Sequence, residues 1–569
     1  MTDRSRSNWL VLLLLALAPA VAWAQETAPA VEPATDTPTK SEPPSSPPAE
    51  TVPSTDDPAP IKAEPANTAS DKTASVSITS AAGAESDPPA VRFDGQVLFD
   101  YVLLGDFALD AAGTPSDRSE WGHTRAVFGL EWDVLPSMKM VTRAEALSGT
   151  AFGDLSSQGD AVGIHTFNGR RNTTFGEAAI LLREAYLDLD VVVGRLKVGR
   201  QGVHWGTGML VNSGLSDPDF GRAQRGNLAD RLVFGTKPFA LTAPSPWMED
   251  LTLFVALDSA VRDDNADQLR DDEAFGSVFG ALVDHRRTKF GFIVSYRQQD
   301  DRRDLRHPTR ERTQVEALTT DIYFRHFFTP PRAARETFME AEVALISGHT
   351  DRPYLEETFE NGADILALGG LMRVGYQDEP NRLFAKLEAG FASGDNDGRD
   401  DVARSFRFNS DYQLGLILFD QVLPLMTARS ADRVMDPGLV GKAPSGMRFT
   451  VNQGAVTNAW YLYPFVRYSP LTDLELRLGY ILAQGMADVV DLFQSATRAG
   501  YNTTVGGQMP GARMLGQEID VGARYSLAIQ ESIKLRLGVE GAVYLPGAAF
   551  EGVLEDPVTM VRTTMDVRW

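Results

Sequence analysis

The chain has 569 residues, 43% of them apolar, a net charge of −23 and no cysteine. The missing thiols exclude disulfide frameworks, cysteine metal sites and thiol nucleophiles, and they suit export into an oxidising compartment. The acidic balance, which persists beyond the first 90 residues, argues against nucleic acid as a partner, because binding phosphate needs a positive face.

In chain order, the first segment reads as a leader. Arg4 and Arg6 make a basic start, residues 10–17 an apolar run and Ala22-Trp23-Ala24 a small-x-small cleavage site, so residues 1–24 are expected to be removed. As a retained anchor the run is too short, since a spanning helix needs roughly 20 apolar residues. Residues 25–90 hold 13 of the 33 prolines, with 11 acidic and 3 basic residues and hardly an aromatic or branched apolar side chain before Val91. Such a segment buries too little surface to offset its ordering entropy, so it is expected to be a disordered linker. It is either a plain spacer or a reach toward the cell wall or a partner.

Beyond residue 90 no run approaches the length of a spanning helix, yet apolar and polar residues alternate over stretches of ten or more. In a strand, alternate side chains point to opposite faces, so a wall with lipid outside and water inside must read this way. Val91, Phe93, Gly95, Val97, Phe99, Tyr101 and Leu103 oppose Arg92, Asp94, Gln96 and Asp100. Leu474, Leu476, Leu478, Tyr480 and Leu482 oppose Glu475 and Arg477, and Ile533, Leu535, Leu537, Val539, Gly541, Val543 and Leu545 oppose Lys534, Arg536, Glu540 and Tyr544. Strands are predicted over 91–104, 124–134, 138–147, 178–190, 191–200, 231–240, 251–258, 273–284, 289–298, 315–328, 337–348, 364–377, 382–393, 460–469, 474–483, 516–526, 532–545 and 559–569, an even count of 18.

A soluble β-sandwich also alternates, but it has no reason to keep one rhythm of connections. Here short turns at 135–137, 285–288, 378–381 and 470–473 alternate with long polar loops, as periplasmic turns and outer loops do in bacterial membrane barrels. Only the turn-side connection 241–250 is overlong. The last strand sets Val561, Thr563, Met565, Val567 and Trp569 against Arg562, Thr564, Asp566 and Arg568, and its aromatic end resembles the signal read by the barrel assembly machinery. The expected fold is therefore all-β: a transmembrane antiparallel up-and-down barrel over 91–569. An even count puts both its ends, and the linker, on the periplasmic side.

The stretch Val198-Gly199-Arg200-Gln201-Gly202-Val203-His204-Trp205-Gly206-Thr207-Gly208-Met209-Leu210, followed by Asp217, Asp219, Phe220, Gly221, Asp230 and Arg231, resembles a motif of an uncharacterised outer-membrane barrel family best known from myxobacteria. Asp411-Tyr412-Gln413-Leu414-Gly415-Leu416-Ile417-Leu418-Phe419 and Tyr544-Leu545-Pro546-Gly547-Ala548-Ala549-Phe550 look like later segments of that family. Ala392-Ser393-Gly394-Asp395 and the Pro-Gly turn are similar to pieces of alginate-export-type porins. The resemblance spans most of 91–569 and implies a barrel of about 18 strands with a pore, but no substrate.

On the alternation above, the inward, pore-lining candidates are Arg92, Arg143, Arg195, Lys197, Lys386, Arg477, Lys534, Arg536, Arg562 and Arg568, against Asp94, Asp100, Glu145, Glu184, Asp188, Glu388, Glu475, Glu540 and Asp566. Two readings stand. The charges pair across strands and keep the lumen wet, or a subset such as Arg195, Lys197, Lys534 and Arg536 forms a basic ladder that selects anions. The longest connection, 394–459, is the expected gate. Within it Leu414, Ile417, Leu418, Val422 and Leu425 recur at helical spacing, so a short amphipathic helix could fold into the mouth, or the loop could pack on the rim. Asp395-Asn396-Asp397-Gly398, with Asp400 and Asp401, offers the oxygens calcium prefers but departs from the EF-hand order, which leaves solvated charge as the other reading.

His123, His165, His204 and His349 fall in or near outer loops, and His285 beside Asp284 at a turn, without a recognisable nucleophile signature, so neither catalysis nor a cofactor is expected. The expected role is a porin-like channel in the outer membrane for diffusion or export of small solutes, with anions as candidates. The competing one is a structural or surface-interaction barrel plugged by its own loops. TonB-coupled uptake would need a folded plug domain ahead of the barrel, and none is read before Val91.

Overall fold

The computed structural model describes residues 90–569 apart from 164–165, 168–169, 172–179, 223–224, 241, 243–244, 303–311, 331–332, 353–361, 398–399, 441–446 and 510–511. The expected leader (1–24), the linker up to residue 89, His165 and Gly398 lie outside the described residues.

Among the described residues, eighteen strands make one closed sheet: β1 (Val91–Leu104), β2 (Glu120–Leu135), β3 (Met138–Gly153), β4 (Ile180–Val191), β5 (Gly194–Val203), β6 (Asn227–Thr236), β7 (Leu251–Arg262), β8 (Glu273–His285), β9 (Thr288–Asp300), β10 (Gln314–Phe327), β11 (Arg335–Thr350), β12 (Ala363–Asp378), β13 (Leu383–Ala392), β14 (Ala459–Tyr468), β15 (Leu474–Gln484), β16 (Met514–Gln530), β17 (Ile533–Pro546) and β18 (Val558–Arg568). Each pairs antiparallel with its sequence neighbours, and β1 pairs with β18 as well as β2, with Val97 opposite Val567 and Phe99 opposite Met565. The seam continues past the last ladder residue: Gly95 and Trp569 exchange backbone N–H···O bonds of 3.1 Å in both directions. Closure matters because backbone groups left bare in hydrocarbon cost several kcal/mol each.

The alternation has become two environments. Val539 (41% exposed), Leu478 (53%) and Met565 (42%) face outward, while their neighbours Glu540 (3%) and Arg562 (0%) face in. An apolar band of this kind running round a sheet is a lipid-facing surface. Two-residue turns, Pro136–Ser137, Val192–Val193, Arg286–Arg287 and Glu531–Ser532, join strands at one rim, where the chain also enters β1 and leaves β18. The overlong turn-side link, 237–250, carries a single helical turn, Pro246–Glu249.

Boundaries differ from the sequence reading where the backbone departs from regular pleating. The strand expected over 191–200 starts at Gly194, because Val192 and Val193 form the turn. The one expected over 231–240 is Asn227–Thr236 and stops before Lys237-Pro238. β3 runs on to Gly153 because Leu147, at φ 54°, is an irregular step in its pairing with β2, which throws the later residues out of simple alternation.

The connection 393–458 folds into the outer half of the barrel. A π-helical turn, Leu418–Val422, leads into α1 (Leu423–Val434), which has Pro424 in its first turn, where a missing N–H costs nothing. The helix starts later than the spacing from Leu414 suggests, since Gly415 takes φ 74°. A second short helix, α2 (Leu492–Ala496), packs beside α1 from the 485–513 connection. Phe406, Phe408, Leu416, Ile417, Leu418, Phe419, Val422 and Ala428 are all buried, against wall residues such as Val102, Tyr461, Ile481 and Tyr544.

Candidate functional site

The inward residues form paired clusters in tiers down the lumen. Toward the outer rim, Glu145 lies between Arg125 (3.1 Å) and Arg183 (2.7 Å) and accepts from the Ser148 hydroxyl. Asp100 pairs with Arg562 (3.1 Å) and Arg222 (3.1 Å), and Glu540 with Arg477 (3.0 Å) and Arg562 (3.4 Å). Glu388 takes Arg373 (2.7 Å), Lys386 (3.1 Å) and the hydroxyls of Tyr412 and Tyr461 (2.7 Å each). Nearer the turn rim, Arg143 meets Glu184 (3.0 Å) and Asp94 (3.4 Å), and Arg92 meets Asp133 (2.7 Å). Asp188 holds both Arg195 and Lys197, and Glu475 is shared by Arg477, Arg467 and Arg524 at 3.5–3.8 Å. Asp566 accepts from Arg568 (2.8 Å) and Gln96 (2.9 Å), while Lys534 is exposed at the turn.

Arg195, Lys197, Lys534 and Arg536 do not make one ladder. The first two converge on Asp188 of β4, and Arg536 of β17 pairs instead with Asp217 of the 204–226 loop (3.0 Å). Cross-strand pairing therefore describes this wall better than a file of cations. Its energetic contribution is modest, because desolvation offsets most of the Coulomb gain, but each pair fixes where its partner sits.

The Gly-Arg-Gln and Trp-Gly-Thr-Gly stretch makes the entry of a loop, 204–226, that crosses the lumen. The Trp205 indole N–H donates to Asp321 of β10 (2.8 Å), and the Thr207 backbone N–H and hydroxyl (2.6 Å) both donate to Glu342 of β11. Gly206 sits at φ 57°, and a Cβ there would lie 2.3 Å from the Glu342 carboxylate, so close approach requires glycine. Farther along, Asp217 reaches Arg536 and Arg568, Asp219 reaches Lys386 (2.6 Å), and Phe220 packs edge-on to Phe465. Burial and the neighbouring Arg562 pull the Arg222 guanidinium down to about 10, although Asp100 favours its charge. The return leg is fixed by Asp411, whose carboxylate accepts from the N–H groups of Arg225 (3.1 Å) and Gly226.

The 393–458 loop is tied down just as polarly. Glu518 of β16 accepts the backbone N–H groups of Leu416 (2.6 Å), Ile417 (2.8 Å) and Leu418 (2.8 Å). From α1, Arg429 (2.9 Å) and Arg433 (3.6 Å) pair with Asp110, and Asp432 accepts from the N–H groups of Gly159 (2.6 Å) and Ala161 (3.0 Å). Arg448 reaches Asp272 (2.6 Å). Asp321, Glu342, Glu518, Arg183 and Arg373 were missed as site residues. All but Arg183, which sits at a register shift, stand at inward positions of predicted strands, and that position was the signal available.

The acidic stretch after β13 is engaged locally: Asp395 accepts from the Asp397 and Arg404 N–H groups, and Asp400 pairs with Arg404 (2.7 Å). Among the described residues no group of three or more His, Asp or Glu side chains is placed to hold a metal ion. Of the histidines, His285 pairs with Asp250 (2.8 Å) at the turn rim, His349 with Asp364 (3.1 Å) on the exposed outer face, and His123 is buried.

Fold and lumen together define a transmembrane β-barrel, closed on itself, with its outer half filled by inserted loops and its turn-side half lined by charge. No protein-family model matches the chain, and no curated protein matches it. Among solved structures the chain is similar to Pseudomonas aeruginosa OpdK with vanillate (10% identity, TM-score 0.46, covering 84% of this chain and 98% of that one). It is also similar to Pseudomonas aeruginosa OccK11 (OpdR) (11%, 0.42, 84% and 95%) and to a BenF-like porin from Pseudomonas fluorescens Pf-5 (9%, 0.44, 84% and 98%).

Proposed function

We propose that the chain is an outer-membrane, porin-like channel for passive diffusion or export of small solutes, anions foremost, with the 204–226 and 393–458 loops restricting the way through. The observation that carries this reading is the inward face of β14–β18 on the turn side. There Arg467 (40% exposed side chain), Arg524 (25%), Arg536 (23%) and Arg568 (32%) are reached by solvent within the lumen, with Lys534 beside them. Charge on a sealed wall has no structural need of water access, whereas a permeation path does. The leader (1–24) would deliver the chain across the inner membrane, the 25–90 linker would hang in the periplasm, and the strand ending in Trp569 would engage the barrel assembly machinery. The motif resemblance to the myxobacterial family and to alginate-export-type porins supports the same reading.

A second reading has its own observation. The apolar packing of 406–434 against the wall is what a permanent stopper would show, which favours a structural or surface-interaction barrel. Planar-bilayer recording of the purified chain and of a variant lacking 395–455 separates the two. A channel gives discrete conductance steps in the intact chain, rising severalfold on deletion. A stoppered barrel is silent until the loop is cut, and silence from the folded intact chain overturns the proposal.

A further inference from the structure

The tip of the 204–226 loop presents a second use of the same wall. Asp217 sends one carboxylate oxygen to Arg568 (3.0 Å) and the other to Arg536 (3.0 Å). Arg524, opposite Gly538 and so one inward position from Arg536 through the β16–β17 register, adds its field to the same carboxylate. Two separate guanidiniums on two separate oxygens, with a third alongside, is more cation than one aspartate needs, since one arginine can hold a carboxylate by both oxygens. Burial pushes the Asp217 carboxyl up, but Arg568, Arg524 and Arg536 outweigh it and hold it well below the usual carboxylate range. The acids already facing the cluster, Asp566 on Arg568 (2.8 Å) and Glu475 near Arg524 (3.8 Å), leave a cationic surplus over this stretch.

Asp217 is also open to water. Its side chain is 30% exposed, and Leu215 and Ser216 beside it are exposed, so lumen water reaches the pair. The loop itself is anchored elsewhere, at Trp205–Thr207 on one side and at Asp219, Phe220 and Arg222 on the other. Freeing the arginines therefore takes a rotation of one short side chain and leaves the loop in place.

We propose that Arg524, Arg536 and Arg568 form a carboxylate-binding site of the lumen, and that Asp217 fills it as a tethered stand-in which a permeating carboxylate solute displaces. The inference rests on the channel reading and names its substrate class. A tethered group competes at an effective concentration of order mM, so free carboxylates should occupy the wild-type site only weakly and exchange quickly, which suits passage rather than capture.

The test is calorimetric titration of the detergent-solubilised, full-length protein with succinate, which reads binding without any current. Asp217→Asn is expected to bind succinate at least about tenfold more tightly than wild type, because the tethered competitor is gone. Adding Arg536→Gln to that variant should abolish the gain. Should Asp217→Asn fail to fold, Asp217→Gly serves with acetate, which is the missing side chain as a free ion: saturable acetate binding is expected there and not in wild type. Folded variants that bind no better than wild type overturn the site, whatever the conductance. Binding gained in a barrel that passes no current in bilayers instead removes the channel reading and leaves the site standing.

Discussion

Single carboxylates do an unusual share of the positioning in this lumen. Glu518 is the clearest: one side chain accepts three successive backbone N–H groups, which are the donors that would otherwise be orphaned at the start of the helical segment. Each buried donor left without a partner costs about 1–3 kcal/mol, so Glu518→Ala should release the 393–458 loop while leaving the strand ladder intact. Limited proteolysis checks this. New cleavage inside 393–458 is expected, with the heat-modifiable gel mobility of the barrel unchanged, and Glu518→Gln, which keeps an acceptor oxygen, should be milder. Protection equal to wild type in the Ala variant would show that apolar packing alone holds the loop.

For the inserted helix the question is how its docking responds to pH. Burial pushes the Asp110 carboxyl up, but the Arg429 guanidinium and the Thr114 hydroxyl and N–H outweigh it and keep it below the usual carboxylate range. A group depressed in the folded state contributes stability above its unfolded value, near 3.9 for Asp, and that contribution is lost as pH falls through the folded one. Asp432 on the same helix moves the other way, since burial raises it despite the N–H groups of Gly159 and Ala161. The Asp110 step is therefore read as a difference. Amide protection of 423–434, corrected for intrinsic exchange, should be lower in Asp110→Asn than in wild type throughout pH 5–8, and the gap should close below about pH 4. A gap that closes at pH 6 would assign the step to another group. The strands were legible in the sequence because lipid and water impose opposite demands on alternate residues, and all eighteen predicted segments overlap an observed strand. Their ends were not legible at Leu147 or at Val192–Val193, where an irregular step or a turn interrupts the period. The loops were legible only as length and helical spacing. What places them inside, Glu518 on Leu416 or Glu342 on Thr207, joins residues 102 and 135 positions apart, and no local pattern encodes such a pair.

The whole molecule depends on one seam. At Gly95 a Cβ would lie 2.2 Å from the Trp569 ring, so the glycine makes room for the aromatic end of β18 to lie flat across β1. Gly95→Val should therefore lower the yield of heat-modifiable barrel on refolding into lipid vesicles, and Trp569→Ala in the same chain should restore part of it. Wild-type yield from Gly95→Val alone would mean that the ring is not part of the closure. The seam also joins Gln96 to Asp566, 470 residues apart. Because the first wall segment made is the partner of the last, this ring closes only once β18 is in place. Its leading strand, paired with β2 on one side, must wait with its other edge bare through the rest of synthesis and transit, so a stalled or clipped chain offers two naked borders to whatever it meets, and the hazard of this architecture lies in the waiting rather than in the finished ring.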